Sequence, residues 1–175
     1  MTSRAWVDDA GTGAETFTYD VRGRLTGYAA DAQVAPEDPF GNRIVRQTFT
    51  FNALNGHEKV VTLYADTSVD EARFTYAANN PVQVVKITHT HPAWPKTVTL
   101  TYDACGRVIS DSLGRRMVWN SQDRLVEVHH ANRSCQYGYT AHGRLVDRTV
   151  DGTLSRSFYS GEELTHETTD GVSRQ

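Results

Sequence analysis

The sequence has few cysteines, no strong excess of positive or negative charge, and no long apolar run. Its two cysteines, Cys105 and Cys135, are too few for a disulfide framework and lack C-x-x-C spacing, so we expect reduced thiols. The formal net charge is −3, and the 18 Lys and Arg residues are scattered singly. Because no positive charge is concentrated, nucleic acid is not an expected partner.

Membrane and secretory signals are also missing. No apolar run approaches the ~20 residues that a membrane-spanning helix needs. The first six residues lack the apolar segment of a secretory signal. The sequence therefore predicts no membrane insertion by this segment and no export by a signal peptide of its own.

The common catalytic motifs are absent as well. The sequence contains no G-x-S-x-G and no G-x-x-x-x-G-K, and the "GTG" at 11–13 precedes no predicted helix. These absences argue against a serine hydrolase and a phosphate-binding loop. We expect no enzymatic activity, no catalytic residue and no cofactor.

A repeated motif dominates what is present: an aromatic residue, Asp or Asn, two variable positions, Gly, Arg and an aliphatic residue. The aromatic position, called the motif aromatic below, is occupied by Tyr19, Phe51, Tyr76, Tyr102, Trp119, Tyr139 and Tyr159. The later copies are about 20 residues apart, which is the length of one β-hairpin with its turns. Internal repetition of this size predicts an array of hairpins.

Each copy predicts a strand followed by a tight turn. In "FTYD", Phe17 and Tyr19 alternate with threonine and share one strand face. In D-x-x-G, the Asp side chain accepts backbone N–H groups and Gly adopts the left-handed conformation. Further turns are predicted at Asp8–Gly11, Asp38–Gly41, Asp111–Gly114 and Asp151-Gly152.

The sequence predicts an all-β fold of consecutive antiparallel hairpins in a strongly curved sheet. The predicted strands lie near 16–19, 24–29, 43–51, 58–64, 72–76, 82–89, 97–102, 107–110, 115–119, 124–129, 134–139, 144–150, 153–159 and 163–167. We expect one domain over residues 1–175, with an irregular insertion at 29–41 and a frayed tail at 168–175.

The repeats resemble the RHS or YD-repeat family, which includes bacterial Rhs toxins, the B and C components of Tc insecticidal toxins, and teneurins. The matching motif residues are Tyr19, Asp20, Gly23, Arg24, Tyr102, Asp103, Gly106, Arg107, Trp119, Arg124, Tyr139, Gly143 and Arg144. The resemblance implies a spiral of β-hairpins that forms a non-catalytic shell segment around a toxic C-terminal domain. It implies further repeats or a partner shell chain as partners. It also implies synthesis in the bacterial cytoplasm and export within a toxin complex.

One departure from the family pattern concerns self-cleavage. Bacterial shells of this family often end in a segment that performs autoproteolysis, and the sequence has no counterpart of that segment.

The arginines that follow the turns allow two interpretations. Their period equals that of the repeat, which favours a ladder of guanidinium groups stacked on aromatics of adjacent hairpins. The alternative is a basic stripe for a ligand. These residues are Arg24, Arg107, Arg115, Arg124 and Arg144.

Three other functions remain open from the residues alone. A carbohydrate-binding module would stack sugar rings on Trp119, Tyr137 or Tyr139. A metal site would use His89 and His91, which a strand would place on one face. A carboxylate-dependent hydrolase would draw on Asp103, Asp111, Asp123 and Glu127, although turns explain nearly all the Asp residues.

Overall fold

A computed structural model describes residues 2–8 and 11–174, and within them every regular element is a β-strand. There are sixteen strands: β1 (Thr2–Asp8), β2 (Gly11–Tyr19), β3 (Leu25–Ala30), β4 (Ile44–Phe51), β5 (His57–Tyr64), β6 (Val69–Ala77), β7 (Asn80–Thr88), β8 (Thr97–Tyr102), β9 (Val108–Asp111), β10 (Arg115–Trp119), β11 (Leu125–His130), β12 (Arg133–Tyr139), β13 (Leu145–Val150), β14 (Thr153–Ser160), β15 (Glu163–Thr169) and β16 (Val172–Arg174).

Each strand pairs antiparallel with its neighbours in sequence, so the strand order runs from β1 to β16 without a crossover. The chain divides into two compact units, residues 1–99 and 100–175. Strand β8 contributes to both units. Thr97–Thr99 pair with β7, whereas Leu100–Tyr102 pair with β9. The expected single domain over residues 1–175 stays a prediction.

The predicted all-β fold of consecutive antiparallel hairpins is confirmed, and all fourteen predicted strands are present as β2 to β15. Strands β1 and β16 were not predicted. The segment "TSRAWVD" places its two large apolar residues side by side, so it lacks the alternation of a half-buried strand. Strand β16 has only three residues and follows the unpredicted turn Asp170-Gly171.

The D-x-x-G turns share one hydrogen-bonded frame. At Asp103, the backbone N–H of Gly106 donates to the Asp103 carbonyl (3.1 Å) and that of Asp103 donates to the Arg107 carbonyl (3.0 Å). The Asp103 Oδ1 accepts the N–H groups of Cys105 and Arg107 at 2.9 and 3.0 Å. The same two backbone hydrogen bonds form at Asp20, Asp38, Asn52, Asn120 and Thr140. The residues 9 and 10 of the predicted Asp8–Gly11 turn lie outside the described part.

The fourth position of this turn adopts a left-handed backbone. Gly106 has φ 80°, while Asn55 and Asp123 occupy the same position at φ 65° and 59°. Asn and Asp tolerate this region better than other residues with a Cβ. The turn therefore accepts Gly, Asn or Asp, which explains why "NALN" and "NSQD" replace the consensus.

A β-bulge precedes every motif aromatic. Val118 pairs with Glu127, but the next residue, Trp119, pairs with Leu125, so Val126 is an extra residue in β11. A register shift stands at the same place before Tyr19, Phe51, Tyr76, Tyr102, Tyr139 and Tyr159. Because a bulge bends the strand and increases its twist, the same deformation recurs in each hairpin.

The predicted insertion and tail each contain backbone pairing. The connection between β3 and β4 covers residues 31–43, and Glu37 and Arg43 form an isolated bridge within it. Ala29 and Ala30, which we assigned to the insertion, end β3 instead. The tail forms the β15–β16 hairpin, and Gln175 lies outside the described residues. Fraying of this tail stays a prediction.

Side-chain burial follows the strand period but stays shallow. In β4, Gln47, Phe49 and Phe51 are half-buried, and Thr48 and Thr50 between them are exposed. Among the residues whose burial is described, only Ala35, Tyr64, Ala72 and Val98 are buried apolar residues, and all belong to residues 1–99. Both cysteines are free, with Cys105 exposed at a turn tip.

Replacing Gly106 tests the turn geometry. Gly106→Val should lower the free energy of unfolding by about 2–3 kcal/mol, because a β-branched side chain is forced to positive φ. No atom lies within 4 Å of the new Cβ, so a clash at that atom does not contribute to the loss. Gly106→Asn introduces the residue type that Asn55 places at the same turn position, and it should cost less than about 1 kcal/mol. Equal midpoints of urea unfolding for both variants would contradict the assigned turn.

Candidate functional site

The Asp and Arg of the motif form an ion pair across each consensus turn. The Arg24 Nε donates to Asp20 Oδ2 at 2.7 Å, and the Arg107 Nε donates to Asp103 Oδ2 at the same distance. Backbone N–H bonds from the arginine, followed by other hydrogen bonds and its charge, lower the pKa of both carboxyl groups. The pairs orient the guanidinium groups at one end of the hairpins.

From this position the arginine reaches the next hairpin that carries the motif. The Arg24 guanidinium carbon lies 4.6 Å from the centre of the Phe51 ring, and its Nη1 donates to Asn55 Oδ1 at 2.9 Å. Arg107 likewise forms hydrogen bonds to the turn of the next motif. Its Nη1 donates to the Asn120 carbonyl (3.0 Å) and to Asp123 Oδ1 (2.9 Å).

The C-terminal motifs repeat the stacking. The guanidinium carbons of Arg124 and Arg144 lie 5.9 and 4.7 Å from the ring centres of Tyr139 and Tyr159. Arg144 also donates to the Gly161 carbonyl. A Cβ at Gly143 would meet the Arg124 guanidinium, so a side chain there would require that flexible group to move. Arg115 forms the same pair with the aspartate four residues before it, and its Nε donates to Asp111 Oδ2 at 2.5 Å.

The motif aromatic returns a hydrogen bond to the preceding hairpin. Tyr139 donates its hydroxyl to the Leu125 carbonyl at 2.8 Å, and Tyr159 donates to the Leu145 carbonyl at 3.1 Å. The indole Nε1 of Trp119 donates to the Val108 carbonyl at 2.8 Å. In all three cases the acceptor is the residue just after the motif arginine.

The same link exists in modified form near the N-terminus. The Tyr76 hydroxyl donates to the carbonyl of His57, which replaces the motif aliphatic residue. The His57 ring lies among Phe49, Phe51 and Phe74, with centroid distances of 5.8, 4.9 and 5.7 Å. Its Nδ1 is buried without a hydrogen-bond partner in the described part of the chain. Tyr19 differs from the later motif tyrosines because it is 48% exposed.

The aromatic residues proposed for sugar stacking are engaged with the protein. Trp119 and Tyr139 are half-buried, and the polar atom of each is bonded to a backbone carbonyl. A hydrogen bond with the Cys135 side chain, together with burial, raises the pKa of Tyr137. These contacts occupy the polar atoms of the three aromatic side chains.

The two histidines proposed as metal ligands do not lie on a strand. Strand β7 ends at Thr88, because Asp70 Oδ1 accepts the N–H groups of Thr90 and His91 and the chain curls around that carboxylate. The expected placement of both rings on one strand face was therefore wrong. His89 contacts Asp70 and His91 contacts Ser68. Within the described residues, no group of three or more His, Cys, Asp or Glu side chains is arranged to hold a metal.

The four carboxylates considered for hydrolysis each have a structural partner. Asp103 and Asp111 hold turns and arginines. Asp123 pairs with Arg107, and Glu127 Oε2 lies 2.9 Å from His129 Nε2. The Asp123 backbone also occupies the left-handed position of its turn.

Sequence reasoning missed a second cluster, built from loops of residues 1–99. The Trp94 Nε1 lies 3.3 Å from both Asp38 Oδ2 and the Tyr64 hydroxyl, and the Trp94 ring stacks on His89. Asp70 is buried at its centre. These residues carry no periodic signal, and only "HPAWP" marks the loop as unusual.

Comparisons with known proteins give a likeness in fold. No protein-family model and no curated protein matches the sequence. Among solved structures, the chain is similar to the TcdB2-TccC3 crystal structure, with 15% identity, a TM-score of 0.45, and coverage of 90% of this chain and 11% of that chain. The chain is also similar to the TcdB2-TccC3 structure without the hypervariable C-terminal region, with 14% identity and a TM-score of 0.48. That match covers 92% of this chain and 10% of the other chain. A Photorhabdus luminescens Tc holotoxin pore matches with 14% identity and a TM-score of 0.40, over 93% of this chain and 12% of the other chain.

The chain thus spans roughly a tenth of the length of these neighbours. In residues 2–8 and 11–174 the structure has no helix that is long and apolar enough to span a bilayer.

The pH dependence of stability tests the Asp103 pair. Its carboxyl pKa lies below the ordinary value, so the ionised group stabilises the fold above that value. This stabilisation is lost as the pH falls through the lowered pKa. We expect Asp103→Asn, which keeps the side-chain acceptor that Asn120 provides in its own turn, to flatten the loss of melting temperature between pH 5 and pH 2.

Glu162→Gln is the control, because it removes an exposed carboxylate from a position outside the Asp–Arg turn pairs. Its melting profile should follow that of the unsubstituted chain. A profile for Asp103→Asn as steep as that of Glu162→Gln would contradict the role of the Asp103 charge.

Proposed function

We propose that this chain is a non-catalytic wall segment of a protein shell, of the kind that RHS or YD-repeat toxins build. The observation that carries the proposal is that the motif residues connect one hairpin to the next. Arginine stacks forward on the next aromatic, and that aromatic donates back to the preceding backbone. A module whose motif residues are used in this way extends a sheet rather than forming a reaction site.

The hydrogen bonds and ion pairs of the polar side chains support a role without catalysis. The carboxylates that a hydrolase would use hold turns or pair with cations. The hydroxyls and the indole of the motif aromatics donate to backbone carbonyls. Groups committed to structural bonds are poor nucleophiles or general bases, because proton transfer would break the bonds that position them.

The shallow burial of the apolar side chains supports the proposal that a partner covers this wall segment. In residues 100–175, no apolar residue whose burial is described is buried, and Leu154, Phe158 and Leu164 are 38%, 39% and 53% exposed. A single sheet leaves both faces accessible, and a half-buried apolar face gains stability when protein covers it. The partner would be further repeats, a second shell chain or an enclosed polypeptide.

The motif resemblance gives this proposal its concrete form. In Rhs and Tc toxins, hairpin spirals of this type enclose a toxic C-terminal domain before delivery. The proposed role of this chain is therefore to encapsulate or deliver such a domain as part of a toxin complex.

Limited proteolysis tests the proposal on the complete product of the gene that encodes this chain. We expect a polypeptide outside the repeats to resist protease as long as the repeats are intact. Changing Tyr139 and Tyr159 together to Ala should make that polypeptide cleavable, because two inter-hairpin links are removed. Leu54→Ser, at an exposed turn position, is the control and should preserve protection.

Cleavage of the enclosed polypeptide at the same rate with and without the repeats would contradict encapsulation. A gene product that contains no polypeptide beyond the repeats would contradict it as well.

A further inference from the structure

The turn that joins β4 to β5, residues 52–56, contains a chemically reactive pair of residues. Asn55 is the only asparagine of the sequence that is followed by glycine. Its side chain is exposed, and Gly56 is half-buried. Glycine has no Cβ, so its nitrogen meets the least steric hindrance when it approaches the side-chain amide of the preceding asparagine. Loss of that amide is therefore easier at Asn55 than at any other asparagine with a comparable exposure.

The fold has a reason to place asparagine at position 55. The residue adopts a left-handed backbone with φ 65°, which asparagine tolerates. Its Oδ1 accepts a hydrogen bond from Arg24 Nη1 at 2.9 Å. Asp123 occupies the same turn position and accepts from Arg107 Nη1 at 2.9 Å. Asn55 is thus part of the contact that the motif arginine makes with the next turn.

The fold also has a reason to place glycine at position 56. A Cβ at Gly56 would meet the hydroxyl end of the Tyr76 ring. That hydroxyl donates to the carbonyl of His57, the residue after Gly56, at 2.8 Å. A side chain at position 56 would therefore disturb the link between the motif aromatic and the preceding hairpin. Two different inter-hairpin contacts together require the Asn-Gly pair.

The closed turn keeps the Gly56 nitrogen from reacting. The Gly56 N–H donates to Asn52 Oδ1 at 2.9 Å, and the Gly56 carbonyl accepts the N–H of Asn52 at 2.8 Å. The N–H of Asn55 donates to the Asn52 carbonyl at 3.1 Å. Attack on the Asn55 side chain requires the Gly56 nitrogen to give up its proton and its hydrogen bond. The reaction therefore proceeds from an opened turn, and local opening sets its rate.

We propose that Asn55 is a site of spontaneous deamidation that the turn 52–56 controls. The Gly56 nitrogen loses its proton and forms a bond to Asn55 Cγ. The Cγ–Nδ2 bond breaks, and the amide group leaves as ammonia with that proton. Water then opens the cyclic imide: cleavage of the Cγ–N bond gives aspartate, and cleavage at the backbone carbonyl carbon gives isoaspartate. Water is the only co-reactant.

The two products change the contact with Arg24 in opposite ways. Aspartate keeps the side-chain acceptor and adds a negative charge, which makes the hydrogen bond charge-assisted and stronger. The pair of Arg107 with Asp123 shows this arrangement in another repeat. Isoaspartate adds one carbon to the backbone of the turn, so the spacing of the hydrogen bonds to Asn52 is lost. Deamidation thus strengthens or breaks one link between successive hairpins.

The test follows the unsubstituted full chain in mildly alkaline buffer, with proteolytic digestion and mass spectrometry of samples taken over time. We expect the mass change from amide to acid to accumulate at Asn55 well before it does at Asn120. Asn120 is the internal control, because it is followed by Ser121. Chromatographic separation of the peptides should resolve the aspartate and isoaspartate products.

Two substitutions at position 52 test the control by the turn. Asn52→Ala removes the acceptor of the Gly56 N–H, so deamidation at Asn55 should become about fivefold faster, the effect of losing one ordinary hydrogen bond. Asn52→Asp keeps an acceptor there, as Asp20 and Asp103 do in their own turns, so its rate should not exceed that of the unsubstituted chain. The rate at Asn120 should be unchanged in both variants.

Equal rates at Asn55 and Asn120 in the unsubstituted chain would overturn the assignment of the site. A rate at Asn55 that is the same in the folded chain and in the chain unfolded by urea would overturn the control by the turn. Both measurements use the unsubstituted protein, so they decide the question even if a variant fails to fold.

Discussion

The fold depends on a reciprocal contact between successive hairpins that carry the motif. The guanidinium group of one turn stacks on the aromatic ring of the next motif, and the polar atom of a motif aromatic donates to a carbonyl just after the preceding arginine. A hydrogen bond of this kind contributes about 1 kcal/mol, and a cation–π contact about 0.5–1 kcal/mol. A sheet with few buried apolar residues needs these small contributions to recur in every repeat.

The β-bulge explains how one residue can serve both neighbours. The register shift before each motif aromatic leaves the partner strand one residue longer and bends it. The aromatic polar atom then reaches the carbonyl of the preceding hairpin. The Asp–Arg pair holds the guanidinium group at the same end of the strands. Turn, bulge and stacking are thus parts of one module, and the loop cluster around Asp70 is the part of residues 1–99 that does not follow it.

The sequence predicted the strands and turns because period-two alternation and D-x-x-G are local signals. The strands that end in a motif aromatic follow from "FTYD" and its variants, and the strands between them follow from alternation and the turns. The stacking of Arg24, Arg124 and Arg144 follows from the shared period of arginine and hairpin. The bulges were not predictable from the sequence, because one extra residue in a strand does not require a distinctive residue type. The loop cluster was missed for a different reason. Asp38, Asp70 and Trp94 are brought together by long-range contacts between irregular segments, for which the sequence has no periodic signal.

The most direct measurement of the link compares two tyrosine-to-phenylalanine variants in urea unfolding. Tyr139→Phe removes the hydroxyl that donates to the Leu125 carbonyl, whereas Tyr19→Phe makes the same chemical change at a motif tyrosine that is 48% exposed. The account predicts a loss of about 1 kcal/mol in the free energy of unfolding for Tyr139→Phe and less than about 0.5 kcal/mol for Tyr19→Phe. Equal losses would contradict the claim that the motif aromatic ties one hairpin to the next.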